Sequence, residues 1–285
     1  MPATRLDIAD VILKNKIPNL RSLVICFEDS INECDIPLAL NNLQQLITQL
    51  KTDTTQKKPL IFIRPRHIEM ATRLIKNLNS NSSLITGFVL PKFTQDTVED
   101  WWHILKETSL YIMPTLETKE VFDANKMQAL ASLLAMHPCY SRIIALRIGG
   151  NDLMSALSLR RSRSLTLYDG PMGYIIKMLV AVFASKGFAL TAPVCEIIDN
   201  HDILIKEFEL DLHHGLVGKT AIHSNQINTI EQALKVPSAD YNDAIQILNA
   251  TQAVFKSQGA MCEPATHRHW AFALQQRAQV YGIDT

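Results

Sequence analysis

The chain has 285 residues and 47% of them are hydrophobic, enough for a large α/β domain with a substantial buried core. Its 28 Lys and Arg residues equal its 28 Asp and Glu residues, and this zero net charge argues against a general nucleic-acid-binding protein. Five irregularly spaced cysteines without a CxxC pair indicate reduced thiols, and we predict a cytoplasmic protein. No apolar run reaches the roughly 18 residues of a membrane span, so no membrane association is expected.

Short apolar strands alternate with amphipathic helices along most of the chain. After a first helix over 5–16, strands are predicted over 23–27, 60–63, 87–90, 110–113, 143–146, 188–190 and 219–222. The intervening helices are predicted over 37–50, 68–78, 98–107, 121–136, 175–185 and 203–213, with a polar loop at 51–58. Three further helical stretches follow, over 226–234, 241–256 and 266–281.

This alternation is typical of a parallel sheet, and strands that are apolar throughout are expected when both faces of the sheet are covered. We predict an α/β fold of the (β/α)₈ TIM-barrel type, for which roughly 250 residues is usual. Seven strands are recognisable, and the missing one would precede the first helix, where only residues 1–3 remain, so a truncated first strand is predicted. We assign 1–235 to a catalytic barrel domain and 236–285 to a helical extension that packs on the barrel or on a neighbouring subunit of a homo-oligomer.

Charged residues follow most of the predicted strands, and parallel strands would bring them to one rim. They are Glu28, Asp29, Arg64, Lys92, Glu117, Asp152 and His223. Two carboxylates and several waters suit Mg²⁺, so Glu117 and Asp152 are predicted to hold a hard cation. An arginine beside them would bind a substrate carboxylate in fork geometry. The glycines Gly149 and Gly150 are interpreted as allowing a sharp turn after the strand.

Simpler interpretations remain open for several of these residues. Asp152 could cap the following helix rather than bind a metal. His223 could be a buried histidine bonded to a backbone carbonyl. The run Arg160-Arg161-Ser162-Arg163 could be a solvated loop, or it could attract an anionic substrate to the rim.

The residues at the strand ends resemble the motifs of the HpcH/HpaI aldolase and citrate lyase β-subunit superfamily. The similar pieces, in the superfamily's order, are Ile25–Ser30, Ile63–Pro65, Val89–Lys92, Leu116–Thr118, Gly149–Leu153, and Gly218–His223 with Gln226. Further pieces resemble a branch of C–C bond lyases of the TIM-barrel fold found in tellurium-resistance-type gene clusters. These are Met1–Arg5, Arg160-Arg161 with Tyr168-Asp169, Ala192–Glu196, and Glu263–His267 with Trp270-Ala271. Ser224 departs from the superfamily's usual proline, and the strand at Leu190 lacks an aspartate common in the CoA-dependent members.

The resemblance implies an Mg²⁺-dependent (or Mn²⁺-dependent) carbon–carbon bond lyase or aldolase. It would act on a small 2-oxo or hydroxy acid through a metal-stabilised enolate, with Glu117 and Asp152 as metal ligands and Arg64 on the substrate carboxylate. We predict catalytic roles for Arg64, Glu28, Asp29 and His223, and substrate contacts from Arg64, Lys92, Arg160 and Arg161. The alternatives are a biosynthetic enzyme of the same fold acting on a phosphorylated or other anionic substrate, and a non-catalytic barrel scaffold.

Overall fold

Six parallel strands form one sheet and lie in it in the same order as in the sequence. Because every neighbouring pair is parallel, each connection crosses a face of the sheet. The strands of this computed structural model, which describes residues 1–53 and 58–284, confirm the predicted parallel α/β architecture. They are β1 (Ser22–Cys26), β2 (Leu60–Arg64), β3 (Gly87–Leu90), β4 (Tyr111–Leu116), β5 (Leu146–Ile148) and β6 (Leu190–Thr191).

Helices connect the strands and bury one apolar face each. In the second helix the buried residues Ala39, Leu43, Leu46 and Leu50 recur at helical spacing, and they join the same core as the strand residues. The carboxylate of Asp123 caps the fifth helix by accepting from the backbone N–H groups of the next turn. The helices are α1 (Ile8–Leu13), α2 (Ile36–Thr52), α3 (Ile68–Leu78), α4 (Val98–Leu105), α5 (Ala124–Met136), α6 (Gly150–Ala156), α7 (Pro171–Ala184) and α8 (His201–His213).

Single bridges extend the sheet at both edges. At one edge Pro2 forms a parallel bridge with Cys26, and at the other Lys219 forms one with Ala192. The strand predicted over 219–222 is therefore wrong beyond its first residue. Its backbone leaves the sheet because the Ile222 N–H donates instead to the side chain of Gln226, at 3.0 Å.

Other predicted boundaries shift by a few residues. The strand predicted over 143–146 forms at 146–148, and the helix predicted over 5–16 is shorter, at 8–13. Lys51 and Thr52 of the predicted 51–58 loop belong to α2, and 54–57 lie outside the described residues. Along the described residues, no helix has the length and apolar character that a membrane crossing requires.

The chain divides into two compact units, Met1–Gln226 and Ile227–Thr285, whereas the predicted functional domains were 1–235 and 236–285. The second unit has its own core, which includes Val236, Ile247, Ala271 and Leu274. The three predicted C-terminal helices form, but a hairpin over 255–262 replaces the end of the second. The elements after α8 are α9 (Asn225–Ala233), β7 (Val236–Pro237), α10 (Ser238–Asn249), β8 (Phe255–Ser257), β9 (Ala260–Cys262), α11 (Pro264–Tyr281) and β10 (Ile283–Asp284).

Candidate active site

Charged side chains converge at the C-terminal edge of the six-stranded sheet. Glu28 follows β1, Arg64 is the last residue of β2, and Lys92 follows β3. Glu117 comes directly after β4, and Asp152 lies in the first turn of α6 after β5. The parallel order of the strands is what brings these five residues together, because parallel strands end at the same edge of a sheet.

Arg64 joins two buried carboxylates. Its Nε forms an ion pair with the carboxylate of Glu28, and its Nη2 lies 3.1 and 3.2 Å from the two carboxylate oxygens of Glu117. The side chains of Glu28 and Glu117 are only 3% and 1% exposed, and that of Arg64 is 16% exposed. One guanidinium therefore fixes the orientation of both acids where little water reaches them.

Glu117 is the most tightly held acid of this group. Its Oε1 accepts a hydrogen bond of 2.8 Å from the backbone N–H of Lys92, whose backbone adopts the left-handed conformation at φ 47°. Burial raises the pKa of Glu117 to about 6, against the lowering effect of Arg64 and the Lys92 N–H. The charges of Asp152 and Glu28 raise it further, so Asp152 lies close enough to interact electrostatically with Glu117.

Gly149 leaves room for the Glu117 side chain. A Cβ atom at this position would lie 2.4 Å from the Cβ of Glu117 and 2.5 Å from its Oε2. The backbone φ of Gly149 is −86°, a value open to any residue, so the glycine is required by close approach and not by a sharp turn. The chain does turn at Gly149, between β5 and α6, but the need for glycine there comes from the space that the carboxylate occupies.

Replacing Gly149 by alanine is expected to displace Glu117 and to weaken divalent-cation binding at least tenfold, because the new methyl group overlaps the carboxylate. Isothermal titration with Mg²⁺ measures this loss. Gly170→Ala is the matched control, since a Cβ there would meet nothing within 4 Å. Equal Mg²⁺ affinity in Gly149→Ala and Gly170→Ala would contradict the assignment.

The donor set suits a small hard cation with few protein ligands. In the part of the chain that the structure describes, no three or more His, Cys, Asp or Glu side chains are grouped as metal ligands. Glu117 and Asp152 instead offer two carboxylates, and magnesium commonly takes one or two carboxylates and keeps several waters. The oxygens of Glu28 are buried and make no hydrogen bond of good geometry, which adds further negative potential to this edge.

Arg147 is a charged residue of this edge that the sequence analysis missed. It lies in β5 opposite Thr115 of β4, and its Nη2 donates to Thr220 Oγ1 at 3.1 Å. Burial lowers its pKa to about 10, with a further lowering from Arg64 and a raising effect from Glu117. A single arginine inside an otherwise apolar strand was the signal available in the sequence.

Four of the predicted site residues lie elsewhere or face solvent. Asp29 and Arg160 are exposed. His223 is also exposed, and its Nδ1 accepts from the Asn225 N–H at the start of α9, so the buried-histidine interpretation is wrong. Arg161 is buried among carboxylates of its own, outside the Arg64 group.

Arg161 belongs to a second charged network between the loop after α6 and helix α8. It forms an ion pair with Glu196 and donates at 2.6 Å to Glu207, whose other oxygen lies 3.0 Å from Lys219 Nζ. Lys219 also donates to Asp211 at 2.7 Å. The side chains of Arg161, Lys219, Glu207 and Asp211 are all 2% exposed or less. The guanidinium of Arg161 is thus already engaged, and we leave it out of the proposed substrate contacts.

Comparisons with known proteins bear on the family and the fold of the chain. Residues 1–283 match the sequence model of a family described as C–C bond lyase of the TIM-barrel fold. A sequence comparison with the curated proteins gave no match. Among solved structures, CitE from Mycobacterium tuberculosis in complex with magnesium, acetoacetate and coenzyme A is similar, with a TM-score of 0.68 and 18% identity over 98% of this chain and 96% of that one.

Two further structures are similar over most of their length. RipC from Yersinia pestis has a TM-score of 0.60 and 18% identity, covering 82% of this chain and 91% of that one. The citrate lyase beta subunit from M. tuberculosis, complexed with oxaloacetate and magnesium, has a TM-score of 0.58 and 18% identity, covering 82% of this chain and 93% of that one. At these identities the likeness supports the fold, and the family match confirms the resemblance seen in the sequence motifs.

Proposed function

The chain belongs to the family of C–C bond lyases of the TIM-barrel fold, and from this premise we propose that it cleaves or forms a carbon–carbon bond of a small 2-oxo or hydroxy acid. The proposed cofactor is Mg²⁺, with Mn²⁺ as a substitute, at Glu117 and Asp152. The observation that carries the proposal is the buried Glu117 carboxylate, fixed by Arg64 and by the Lys92 N–H and within electrostatic range of Asp152. Relatives of the same fold bind magnesium together with oxaloacetate or acetoacetate.

We further propose that the six-stranded sheet is part of a closed, eight-stranded barrel. The six strands of the sheet would supply most of it, and the bridges of Pro2 and Lys219 mark where two further strands would lie. Closure of the sheet would place Arg64, Glu117 and Asp152 around the mouth of the barrel. Active sites of this fold lie at that end.

Arg64 is the proposed substrate-carboxylate residue. A guanidinium has three nitrogens, and the contacts with Glu28 and Glu117 use Nε and Nη2. Its Nη1 is left to donate to a carboxylate that enters the site, and the two glutamates hold the guanidinium plane in place. Lys92, whose Nζ lies 3.9 Å from Glu28, adds positive charge at the entrance.

The bond change is that of an aldol cleavage. In a 4-hydroxy-2-oxo acid the bond between C3 and C4 breaks, the C4 hydroxyl gives up its proton, and C3 takes one, which releases an aldehyde or oxo compound and a 2-oxo acid. A divalent cation at Glu117 and Asp152 would supply the positive charge that polarises the 2-oxo group. Arg64 would hold the adjacent carboxylate, and the burial of Glu28 and Glu117 would keep bulk water from the reacting carbons.

We expect Mg²⁺-dependent release of a 2-oxo acid from a panel of 4-hydroxy-2-oxo acids and 2-hydroxy acids. The measurement is NADH oxidation by a coupled 2-oxo acid reductase, with and without EDTA. Activity that EDTA abolishes and Mg²⁺ restores would support the proposal. Absence of turnover across the panel together with absence of Mg²⁺ binding by calorimetry would overturn it.

A further inference from the structure

We propose that Arg147 is a second carboxylate-binding residue of this site, which selects dicarboxylic acids over monocarboxylic ones. The proposal rests on the proposed function, since it concerns the second anionic group of the same substrate. It assigns a task to a side chain that the proposed chemistry does not otherwise use. The occupant is defined by its chemistry, as an acid whose first carboxylate is bound by Arg64 and whose second reaches β5.

The position of Arg147 follows from the strand register. In β4 and β5, Thr115 pairs with Arg147, so both side chains point to the same face of the sheet. Glu117 is two residues beyond Thr115 and shares that face. The electrostatic influence of Arg64 and Glu117 on Arg147 is consistent with this placement. Arg147 therefore lies on the side of the sheet that carries the proposed site.

Arg147 differs in its partners from the two other arginines with little exposure, Arg64 and Arg161. Arg64 and Arg161 each form ion pairs with two glutamates. Within residues 1–53 and 58–284, Arg147 has no carboxylate within 4 Å, and its side chain makes one hydrogen bond, to Thr220. A guanidinium carries five N–H donors, so most of its capacity is unused. The neighbouring Thr115 Oγ1 is also buried without a partner.

The charge balance indicates what would satisfy Arg147. Glu28, Glu117 and Asp152 contribute three negative charges, and Arg64 and Arg147 contribute two positive charges. A divalent cation at the two proposed ligands changes the net charge of this group from −1 to +1, and Lys92 at the entrance adds another positive charge. Such a site favours a dianion over a monoanion. A partly buried guanidinium without a carboxylate partner is costly, and a second substrate carboxylate would offset that cost.

The test compares the binding of malate and lactate, which share a 2-hydroxycarboxylate group and differ by one carboxylate. Both are 2-hydroxy acids, so the coupled 2-oxo acid assay is run on the same samples, and calorimetry with Mg²⁺ measures binding where no 2-oxo acid is released. The wild-type protein is expected to bind malate about 10- to 100-fold more tightly than lactate, the usual range for hydrogen bonds to a charged group. Arg147→Met is expected to remove this preference by weakening malate alone.

Two further variants separate this role from a structural one. Arg147→Lys keeps the positive charge but loses the paired N–H donors with which a guanidinium binds a carboxylate. This variant is therefore expected to retain part of the preference for malate. Arg73→Met removes an exposed arginine of α3 and is expected to leave both affinities unchanged. If Arg147→Met does not fold, the wild-type preference and the Arg147→Lys variant decide the question.

The outcomes distinguish the two proposals. Equal affinities of the wild-type protein for malate and lactate, with Mg²⁺ binding intact, would overturn the role of Arg147 and leave the proposed function standing. If Arg147→Met lowers the affinities for malate and lactate equally, the proposed role of Arg147 is also overturned. A purely structural role of Arg147 predicts such an equal loss of affinity for both acids. A wild-type protein that binds neither acid in the presence of Mg²⁺ would overturn the role of Arg147, whereas the proposed function falls only if turnover across the panel and Mg²⁺ binding are absent as well.

Discussion

Replacement of Glu117 by glutamine is expected to abolish Mg²⁺ binding and to lower carbon–carbon cleavage by about 1000-fold or more, because the Lewis-acid contribution of a bound metal is several kcal/mol. Glutamine has nearly the same shape and keeps one oxygen for the Lys92 N–H, so packing is preserved while the charge is lost. Steady-state rates and Mg²⁺ calorimetry measure the two effects. Glu107→Gln, which neutralises an exposed acid after α4, is the control.

Because the Glu117 carboxyl group titrates, Mg²⁺ affinity and the free energy of unfolding should both depend on pH. Burial raises the pKa of Glu117 to about 6, and a cation competes with the proton for the carboxylate. Mg²⁺ affinity of the wild-type protein should therefore fall about tenfold between pH 7 and pH 5 through this group. In the metal-free protein the ionised form is disfavoured, so the free energy of unfolding should fall by about 2 kcal/mol as the pH rises from 4.5 through 6.

In Glu117→Gln the free energy of unfolding should not show this fall between pH 4.5 and pH 7, because the side-chain amide does not titrate. Urea denaturation of the metal-free wild-type protein, Glu117→Gln and Glu107→Gln at pH 4.5 and pH 7 would reveal it. Undiminished Mg²⁺ affinity and cleavage activity in Glu117→Gln would refute the assignment of Glu117 as a metal ligand.

The strand ends could be predicted from the sequence because the signal is local. Runs such as 60–63 are apolar throughout and are followed directly by a charged residue, and parallel pairing then brings such residues to one edge. Glu28, Arg64 and Glu117 were found in this way, and the contacts among them agree with the expectation. The helix over 68–78 was predicted to the residue.

The features that were missed depend on distant partners. Gly149 is required by Glu117, 32 positions earlier, and no local pattern distinguishes that need from a turn. The predicted strand after Gly218 is lost because the Gln226 side chain takes the Ile222 N–H. Arg161 was assigned to anion binding because its run is basic, whereas its partners Glu196 and Glu207 lie 35 and 46 positions away. An exposed Arg160 alone gives the phosphorylated-substrate alternative little support.

Loss of Lys219 is expected to cause the largest fall in stability. Its ammonium group, fully buried, lies 3.0 Å from Glu207 and 2.7 Å from Asp211, and removing one partner of a buried ion pair leaves an uncompensated charge. Lys219→Met should lower the free energy of unfolding by about 3 to 5 kcal/mol, measured by urea denaturation. Lys206→Met removes an exposed lysine of α8 and should change stability by less than about 0.5 kcal/mol.

Asp211 and Glu207 should respond differently to the loss of the Lys219 ammonium group. Burial raises the pKa of Asp211 even beside Lys219, whereas for Glu207 the charges of Lys219 and Arg161 outweigh burial and hold its pKa below the usual range. Without Lys219, Asp211 keeps only the Tyr168 hydroxyl, so it should take up a proton at higher pH. The destabilisation should therefore shrink as the pH falls, and adding Asp211→Asn to Lys219→Met should recover part of the loss. A Lys219→Met protein as stable as the wild type, or a double variant less stable than Lys219→Met alone, would show that the network does not hold α8 in this way.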